Sequence, residues 1–389
     1  MRLFECQSCQ SVIYFENRAC QSCGHQLGYL PHANALSALE QAPDGSWSAL
    51  AAPGEAWRFC ANAEHDVCNW LIPADAPDLY CLACRHNEMI PDISDPGNLS
   101  SWRLIEQAKH RLFYSLLRLN LPLATRAEDH AHGLIFRFLA DPPPHLGPKI
   151  MTGHDNGVIT LALGEADAVE RVRRRQELGE LYRTLLGHFR HEIGHHYWDI
   201  LVRDGGQLDS CREIFGDDTA DYETALRSHY QNAAPPDWQD NFVSSYATMH
   251  PWEDFAETWA HYFHIVDTLE MGNAFGITVK AKVHSSNGIA TKLDFDPYHS
   301  ESMERIIDAW LPFVFAMNNV SRAMGHQDIY PFVIAPPVIR KLDYIHRLVS
   351  ARLQRRTNED IPVESIEAFE DRQSGSAALP QEPAFVEQQ

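Results

Sequence analysis

The chain has 389 residues, of which 44% are hydrophobic and 22% charged, a composition typical of a soluble globular protein. Its 32 basic and 53 acidic side chains give a formal net charge of −21 at pH 7. This charge argues against nucleic acid as a partner, because phosphate binding requires Lys and Arg. No stretch approaches the roughly 18 to 20 apolar residues that cross a bilayer, and the first residues lack the apolar segment of a signal peptide. We therefore expect a cytoplasmic protein that does not contact a membrane.

Eight of the nine cysteines precede residue 85 and fall into two sets of four, mostly spaced as Cys-x-x-Cys. Four thiolates are common ligands of a structural zinc, and each Cys-x-x-Cys turn supplies two of them. Because no export signal is visible, we favour zinc over disulfide bonds, and interleaved pairing between the two sets stays open. The predicted zinc-binding sets are Cys6, Cys9, Cys20 and Cys23, and Cys60, Cys68, Cys81 and Cys84.

Between the two cysteine sets, residues 30–57 are rich in Ala, Pro and Gly, and we expect them to form a connection. Residues 85–100 contain Pro91, Pro96 and Gly97 and indicate a domain boundary. Beyond it, apolar spacing and turn residues predict helices and strands. We expect helices at 102–119, 165–204, 252–268, 302–318 and 338–355, strands at 134–139 and 158–163, and an extended loop with short helices at 204–250.

The strand at 158–163 is expected to lie in the core, although an edge position would let it pair with an extended peptide. The residues from 357 onward are acidic, contain Pro, Ser and Gln, and have few aromatic side chains, which predicts disorder. The chain is thus expected to comprise a zinc-ribbon module at 1–95, a larger domain at 96–356 and a disordered acidic tail at 357–389.

The strongest functional signal is the sequence HEIGH at residues 191–195, inside a predicted helix. Because four residues make about one helical turn, His191 and His195 project from one face and can bind a single zinc ion. Glu192 lies beside them and can take a proton from a water on the metal. The alternative is two surface histidines on a helix, which agrees less well with the apolar residues around the motif.

A catalytic zinc takes three protein ligands and leaves one position open. The metzincin pattern is excluded, because Trp198 and Leu201 occupy the positions of its Gly and His. The helix predicted to begin near residue 252 carries Glu253 and Glu257 on one face, and spacing alone allows either carboxylate to be the third ligand. A solvated acidic helix start is the alternative, since carboxylates also suit a helix N-terminus.

Several segments resemble a bacterial family of zinc-binding metallopeptidases that carry an N-terminal zinc ribbon. The similarity extends from Cys6 to about residue 350. It implies an α+β fold, in which a mainly helical, zincin-like metallopeptidase domain with a small sheet follows the cysteine module. The segments that carry it are TGHDNG with VITL, RTLLGHFRHEIGHHYWD, HPWEDFAETWAH, and YPFV with KLDYIH.

The second motif also resembles the gluzincins and, more distantly, the catalytic domain of anthrax lethal factor. This resemblance implies that Glu253 binds zinc, that Glu257 supports a ligand, and that Tyr246 is a catalytic tyrosine. The chain departs from that pattern in its longer, more acidic stretch between the two motifs. An ordinary packed aromatic is therefore the alternative role for Tyr246.

These patterns together predict a zinc metallopeptidase with one catalytic and two structural zinc ions and with Glu192 as the general base. Its expected partners are a peptide or protein substrate and a protein that binds the zinc ribbon. One alternative is a zinc-stabilised interaction scaffold with a vestigial peptidase site, against which the intact Glu192 argues. Another alternative is a bacterial regulatory protease that cleaves repressors. The similarity to those proteases is confined to the six residues HEIGHH.

Overall fold

The computed structural model of the protein describes residues 2–142, 145, 147, 149–178, 184–232, 234–283 and 289–359. It shows a mixed helix and sheet architecture with a cysteine-rich N-terminal module, which confirms the predicted α+β class. Residues 360–389, most of the predicted tail, lie outside the described residues. Residues 357–359 belong to the last helix, so the helical region extends slightly beyond its predicted end.

The N-terminal module combines a two-stranded antiparallel pair with a five-stranded antiparallel sheet. The pair consists of β1 (Phe4–Glu5) and β2 (Val12–Ile13). The five strands are neighbours in chain order, so each pairs with the next one along the sequence. They are β3 (Gln26–Leu30), β4 (Ala35–Gln41), β5 (Trp47–Ala49), β6 (Ala52–Phe59) and β7 (Leu71–Pro73).

The prediction that residues 30–57 form a connection is wrong, because this segment supplies most of the five-stranded sheet. Alternate side chains of a strand point to opposite faces, and β3 and β4 carry buried residues on both faces. Leu27 belongs to the main core, whereas Leu30 belongs to a smaller apolar cluster. A Cβ atom on Gly28 would lie 2.6 Å from the Leu71 side chain. Ala35, Ala38 and Ala49 within the segment are buried, so these small side chains pack in the sheet and do not form a flexible connection.

A second sheet has four strands in the order β10-β11-β9-β8. β8 (Asn87–Met89) lies within the expected boundary segment at 85–100 and pairs in parallel with β9 (Ile135–Leu139), so this segment contributes a strand to the sheet. β11 (Val158–Ala162) lies between β9 and β10 (Gly153–Asp155) and is an interior strand, as expected. β10 forms the edge of the sheet.

Eight α-helices and a further strand pair, β12 (Thr278–Lys280) with β13 (Ala290–Lys292), occur among the described residues. None of the helices described is long and apolar enough to cross a membrane. The region 204–250 is irregular with short helices, as predicted. The helices are α1 (Pro96–Arg118), α2 (Ala168–Leu178), α3 (Leu185–Tyr197), α4 (Leu208–Phe215), α5 (Tyr222–Gln231), α6 (Pro251–Ala274), α7 (Met303–Ala323) and α8 (Pro336–Glu359).

The helix predicted at 165–204 is divided into several elements. A 3-10 helix at Leu163–Ala166 precedes α2, and a π-helix at Trp198–Arg203 follows α3. Thr184 has an extended backbone and caps α3, because its side chain accepts a hydrogen bond from the Gly187 N–H at 2.9 Å. Residues 179–183 of the predicted helix lie outside the described residues.

Helices α3 and α6 pack closely because Gly194 has no side chain at their contact. A Cβ atom there would lie 3.1 Å from the Cα of Ala256 and 3.2 Å from the Cβ of Trp259. The first turn of α6 is capped by the His250 imidazole, which accepts a hydrogen bond from the Trp252 N–H at 3.1 Å. This arrangement sets the N-terminal turn of α6 against the HEIGH segment of α3.

Candidate metal centre

The contact between α3 and α6 brings together two imidazoles and one carboxylate. His191 and His195 of α3 face each other through their Nε2 atoms, which are 3.2 Å apart. The Oε2 atom of Glu253, in the first turn of α6, lies 3.0 Å from the His191 Nε2 and 3.3 Å from the His195 Nε2. Three potential ligand atoms thus form a nearly equilateral triangle.

This triangle fits a tetrahedral zinc ion. Zinc bonds to nitrogen and oxygen of about 2.0 to 2.1 Å place neighbouring ligand atoms about 3.3 to 3.4 Å apart, close to the separations observed. The Glu253 Oε2 atom is buried and has no hydrogen-bond donor among the described residues. A buried carboxylate oxygen without a donor is costly, and a cation at this point would compensate it. The donor set of two imidazoles and one carboxylate is typical of catalytic zinc.

Glu257 lies behind His191 rather than among the three converging atoms. Its Oε1 atom is 2.7 Å from the His191 Nδ1, and its Oε2 atom accepts a hydrogen bond from the Ser244 hydroxyl at 2.5 Å. A carboxylate in this position holds the imidazole with its proton on Nδ1, so that Nε2 carries the free electron pair. The structure therefore places Glu253 in the converging set and Glu257 in a supporting position.

Glu253 and His191 shift each other's pKa towards the charged forms. Burial alone would raise the pKa of Glu253, but His195 and His191 hold this pKa well below its usual value. Burial alone would lower the pKa of His191, but its contacts with Glu253 and Glu257 raise it well above the usual value. The Glu253 carboxylate is accordingly ionised at neutral pH, as a metal ligand must be.

His195 is held by aromatic contacts instead of a carboxylate. The Trp252 ring lies over its imidazole with centroids 3.7 Å apart and an interplanar angle of 34°. His154 of the edge strand β10 is a third ring of this group, with its centroid 6.1 Å from that of His195 and 6.2 Å from that of Trp252. The His195 Nδ1 atom has no hydrogen-bond partner within the part of the chain that the structure describes.

Glu192 and Tyr246, the two predicted catalytic residues, line one cavity of about 230 Å³ next to the imidazoles. Glu192 is 9% exposed, so its carboxylate is largely shielded from bulk water. The Tyr246 ring centroid lies 6.0 Å from that of His191. Burial, followed by the charge of Glu253, raises the pKa of the Tyr246 phenol, which therefore stays protonated.

Tyr222 is a residue of the centre that the sequence analysis missed. Its hydroxyl donates a hydrogen bond of 2.7 Å to the second oxygen of Glu253, Oε1, and it also interacts with the Tyr246 phenol. Tyr222 lies in the irregular region between the two motifs, where no spacing rule links it to Glu253. The Asp-Tyr-Glu-Thr sequence at 221–224 indicates a capped helix start, but it does not indicate which way the tyrosine points.

The eight N-terminal cysteines form two separate clusters with the predicted grouping, and the interleaved alternative is absent from the described residues. Tetrahedral thiolates on zinc lie about 3.8 Å apart, given zinc–sulfur bonds of about 2.3 Å. The Sγ atoms of Cys6 and Cys23 are 3.6 Å apart, and those of Cys68 and Cys81 are 3.7 Å apart. Both clusters therefore fit a zinc ion.

The second cysteine cluster is enclosed by α1, whereas the first lies nearer the surface. Its four cysteines are all buried, while Cys9 and Cys23 of the first cluster are exposed. The His110 Nε2 atom of α1 lies 3.5 Å from the Cys68 Sγ and 3.7 Å from the Cys84 Sγ. Sequence analysis missed His110 because it lies outside the cysteine spacing.

Comparison with known proteins agrees with this geometry. Residues 98–348 match the family described as "Putative zinc-binding metallo-peptidase", which covers more than half of the chain. The chain belongs to this family. Residues 3–95 match a zinc-ribbon domain, so this member of the metallopeptidase family carries an N-terminal ribbon.

The chain also resembles proteins of two mycobacterial species. An uncharacterized protein of Mycobacterium bovis is 40% identical over 350 residues, which span 90% of this chain and 95% of the relative. Uncharacterized proteins from two strains of Mycobacterium tuberculosis show the same identity and coverage. No solved structure was found to match this metallopeptidase family member.

Proposed function

We propose that this member of the metallopeptidase family hydrolyses peptide bonds at a zinc ion held by His191, His195 and Glu253, with Glu192 as the general base. The observation that carries the proposal is the triangle of ligand atoms, one of whose residues, His191, lines the same cavity as Glu192. A ligand set of this type leaves a coordination position for water, as catalytic sites require. Glu257 would act by holding His191 in its ligand tautomer.

The chemistry divides between the metal and the side chains of the chain. A bound zinc would lower the pKa of a coordinated water to about 7 and polarise the carbonyl of the scissile bond. The Glu192 carboxylate would accept the proton of the attacking water and pass it to the leaving amide nitrogen. The Tyr246 phenol, which is protonated and lines the same cavity, would donate a hydrogen bond to the carbonyl oxygen.

The surroundings of the centre suit an extended peptide. β10 is an edge strand, and its His154 lies beside His195, so a substrate can pair with the free edge of β10 as an added strand. The cavity next to Glu192 can receive one substrate side chain. Its wall includes Met151, Tyr230, Ala260, His261 and Phe332.

The test of this proposal is cleavage of cellular proteins by the purified chain. We expect incubation with a denatured cell lysate to produce new protein termini, detected by mass spectrometry, that are absent when the lysate is treated with the Glu192→Gln variant. Identical sets of termini from both proteins would contradict the proposal. The alternative of a vestigial peptidase site on an interaction scaffold predicts that result, and the intact Glu192 in an open cavity argues against it.

The proposal includes two structural zinc ions in the cysteine clusters, so the protein is expected to hold about three zinc ions per chain. The first cluster is the proposed anchor for a protein partner, since Val12 and Tyr14 beside it are 54% and 56% exposed. Elemental analysis of purified protein measures the zinc content directly. A content of one ion or less would contradict zinc in both cysteine clusters.

Cys81→Ser is expected to destabilise the whole chain more than Cys9→Ser. Cys81 is completely buried in the cluster that contacts α1, whereas Cys9 is exposed. Removing one member of a buried ionic group lowers the free energy of unfolding by about 3 to 5 kcal/mol, because the remaining charges lose their compensation. Thermal unfolding followed by circular dichroism should show the lower midpoint for Cys81→Ser. Equal midpoints would indicate that the second cluster does not support the larger domain.

A further inference from the structure

Tyr222 is fixed against the first turn of α6 by its neighbours on both elements. It is the first residue of α5, whose N-terminus is capped by the Asp221 carboxylate through a 2.8 Å hydrogen bond from the Thr224 N–H. The Tyr222 ring packs edge-on against His250 and Trp252, with ring centroids 5.5 and 5.9 Å away. The orientation of the phenol is therefore defined by the same residues that begin α6.

The two oxygens of Glu253 have different partners as a result. Oε2 faces the imidazoles of His191 and His195, whereas Oε1 accepts the 2.7 Å hydrogen bond from the Tyr222 hydroxyl. Glu253 is only 2% exposed, so bulk water has little access to replace that donor. A buried carboxylate oxygen that loses its donor is left unsatisfied, and the side chain is then free to rotate.

We infer that Tyr222 is the positioning residue of the third zinc ligand: its hydroxyl holds Glu253 so that a single oxygen points at the metal. This inference rests on the proposed function, because it concerns the same centre. The hydrogen bond from Tyr222 also gives the long segment between the HEIGH motif and α6 a function in the metal centre. Helix α5 has no fully buried residue, and Tyr222 connects it to the centre.

The test compares zinc affinity of the full-length wild type and the Tyr222→Phe variant. Zinc is removed from the site of His191, His195 and Glu253 and is then returned in competition with a chelating indicator. The two cysteine clusters keep their zinc throughout. Tyr222→Phe is expected to weaken binding at this site by about 10- to 100-fold, the usual effect of losing a partner of a metal ligand. Tyr80→Phe, which makes the same change at an exposed tyrosine of the N-terminal module, is the matched control and should stay within about twofold of wild type.

A double-mutant cycle separates positioning from a general effect on the fold. In the Glu253→Ala background, Tyr222→Phe should change zinc affinity by less than about twofold, because the residue on which it acts is gone. An equal loss of affinity in both backgrounds would overturn the inference, and so would wild-type affinity in the single variant. If the wild type itself takes up no zinc beyond that of the cysteine clusters, the proposed function fails and the inference fails with it.

Discussion

Glu192→Gln is expected to lower the turnover of peptide hydrolysis by at least about 100-fold, with zinc content and fold unchanged. The amide has the shape of the carboxylate but cannot accept the proton of the attacking water. Glu192 lies outside the converging set of ligand atoms, so its replacement leaves the metal-binding groups in place. Steady-state kinetics on a cleaved peptide, with zinc measured in the same samples, gives both quantities.

Glu223→Gln is the matched control for this experiment, since it makes the same chemical change at an exposed position in the first turn of α5. It should retain wild-type turnover. Near-normal turnover by Glu192→Gln would show that another group removes the proton. A parallel loss of zinc would show that Glu192 supports metal binding instead.

Glu253→Ala is expected to empty the catalytic site at micromolar zinc, whereas Glu257→Ala should weaken that site by about 10- to 100-fold. Glu253 supplies the atom nearest both imidazoles, and its loss leaves two ligands. Glu257 contacts only the far side of His191, so excess zinc should refill the site in its absence. Zinc titration of both variants, with the cysteine clusters loaded, gives the order of the two effects.

The reverse order would move the third ligand to Glu257. Equal and mild effects would point to His250, His261 or His264 as the third ligand, and the first two of these have other partners. His250 caps α6 and contacts the Ala220 carbonyl at 3.1 Å, and the His261 Nδ1 lies 2.7 Å from the Tyr330 hydroxyl. The structure thus favours a clear difference between the two variants.

The parts of the centre that could be predicted from sequence depend on short-range geometry. The spacing of His191 and His195 places both on one face of a helix, and this placement does not depend on how the helix packs in the fold. The Cys-x-x-Cys pairs similarly define a local turn. Spacing could not distinguish Glu253 from Glu257, because both share a face of α6. The way α6 packs on α3 places Glu253 at the two Nε2 atoms and Glu257 at the His191 Nδ1.

The parts that could not be predicted depend on contacts between distant segments. Tyr222 lies 31 residues before Glu253, and only the fold of the intervening segment brings the two together. His110 reaches the second cysteine cluster from α1, 42 residues after Cys68. No periodicity in the sequence indicates that residues so far apart in the chain lie close together in the structure.

The five-stranded sheet of the N-terminal module was missed for a different reason. Strands β3 and β4 carry buried residues on both faces, so they lack the alternation of apolar and polar residues that marks a half-buried strand. Its Ala residues, which suggest a connection, include Ala38 and Ala49, and both are fully buried in the sheet. The pairing of β8 with β9 likewise depends on a distant partner.

The central claim is that the zinc held by His191, His195 and Glu253 carries out peptide hydrolysis. It is tested most directly by measuring turnover of one cleaved peptide as zinc is returned stepwise to protein that has been depleted at this site. We predict that activity rises in proportion to occupancy of the third zinc and that Glu192→Gln stays near zero at every occupancy. Full activity in samples that contain zinc only in the two cysteine clusters would contradict the account.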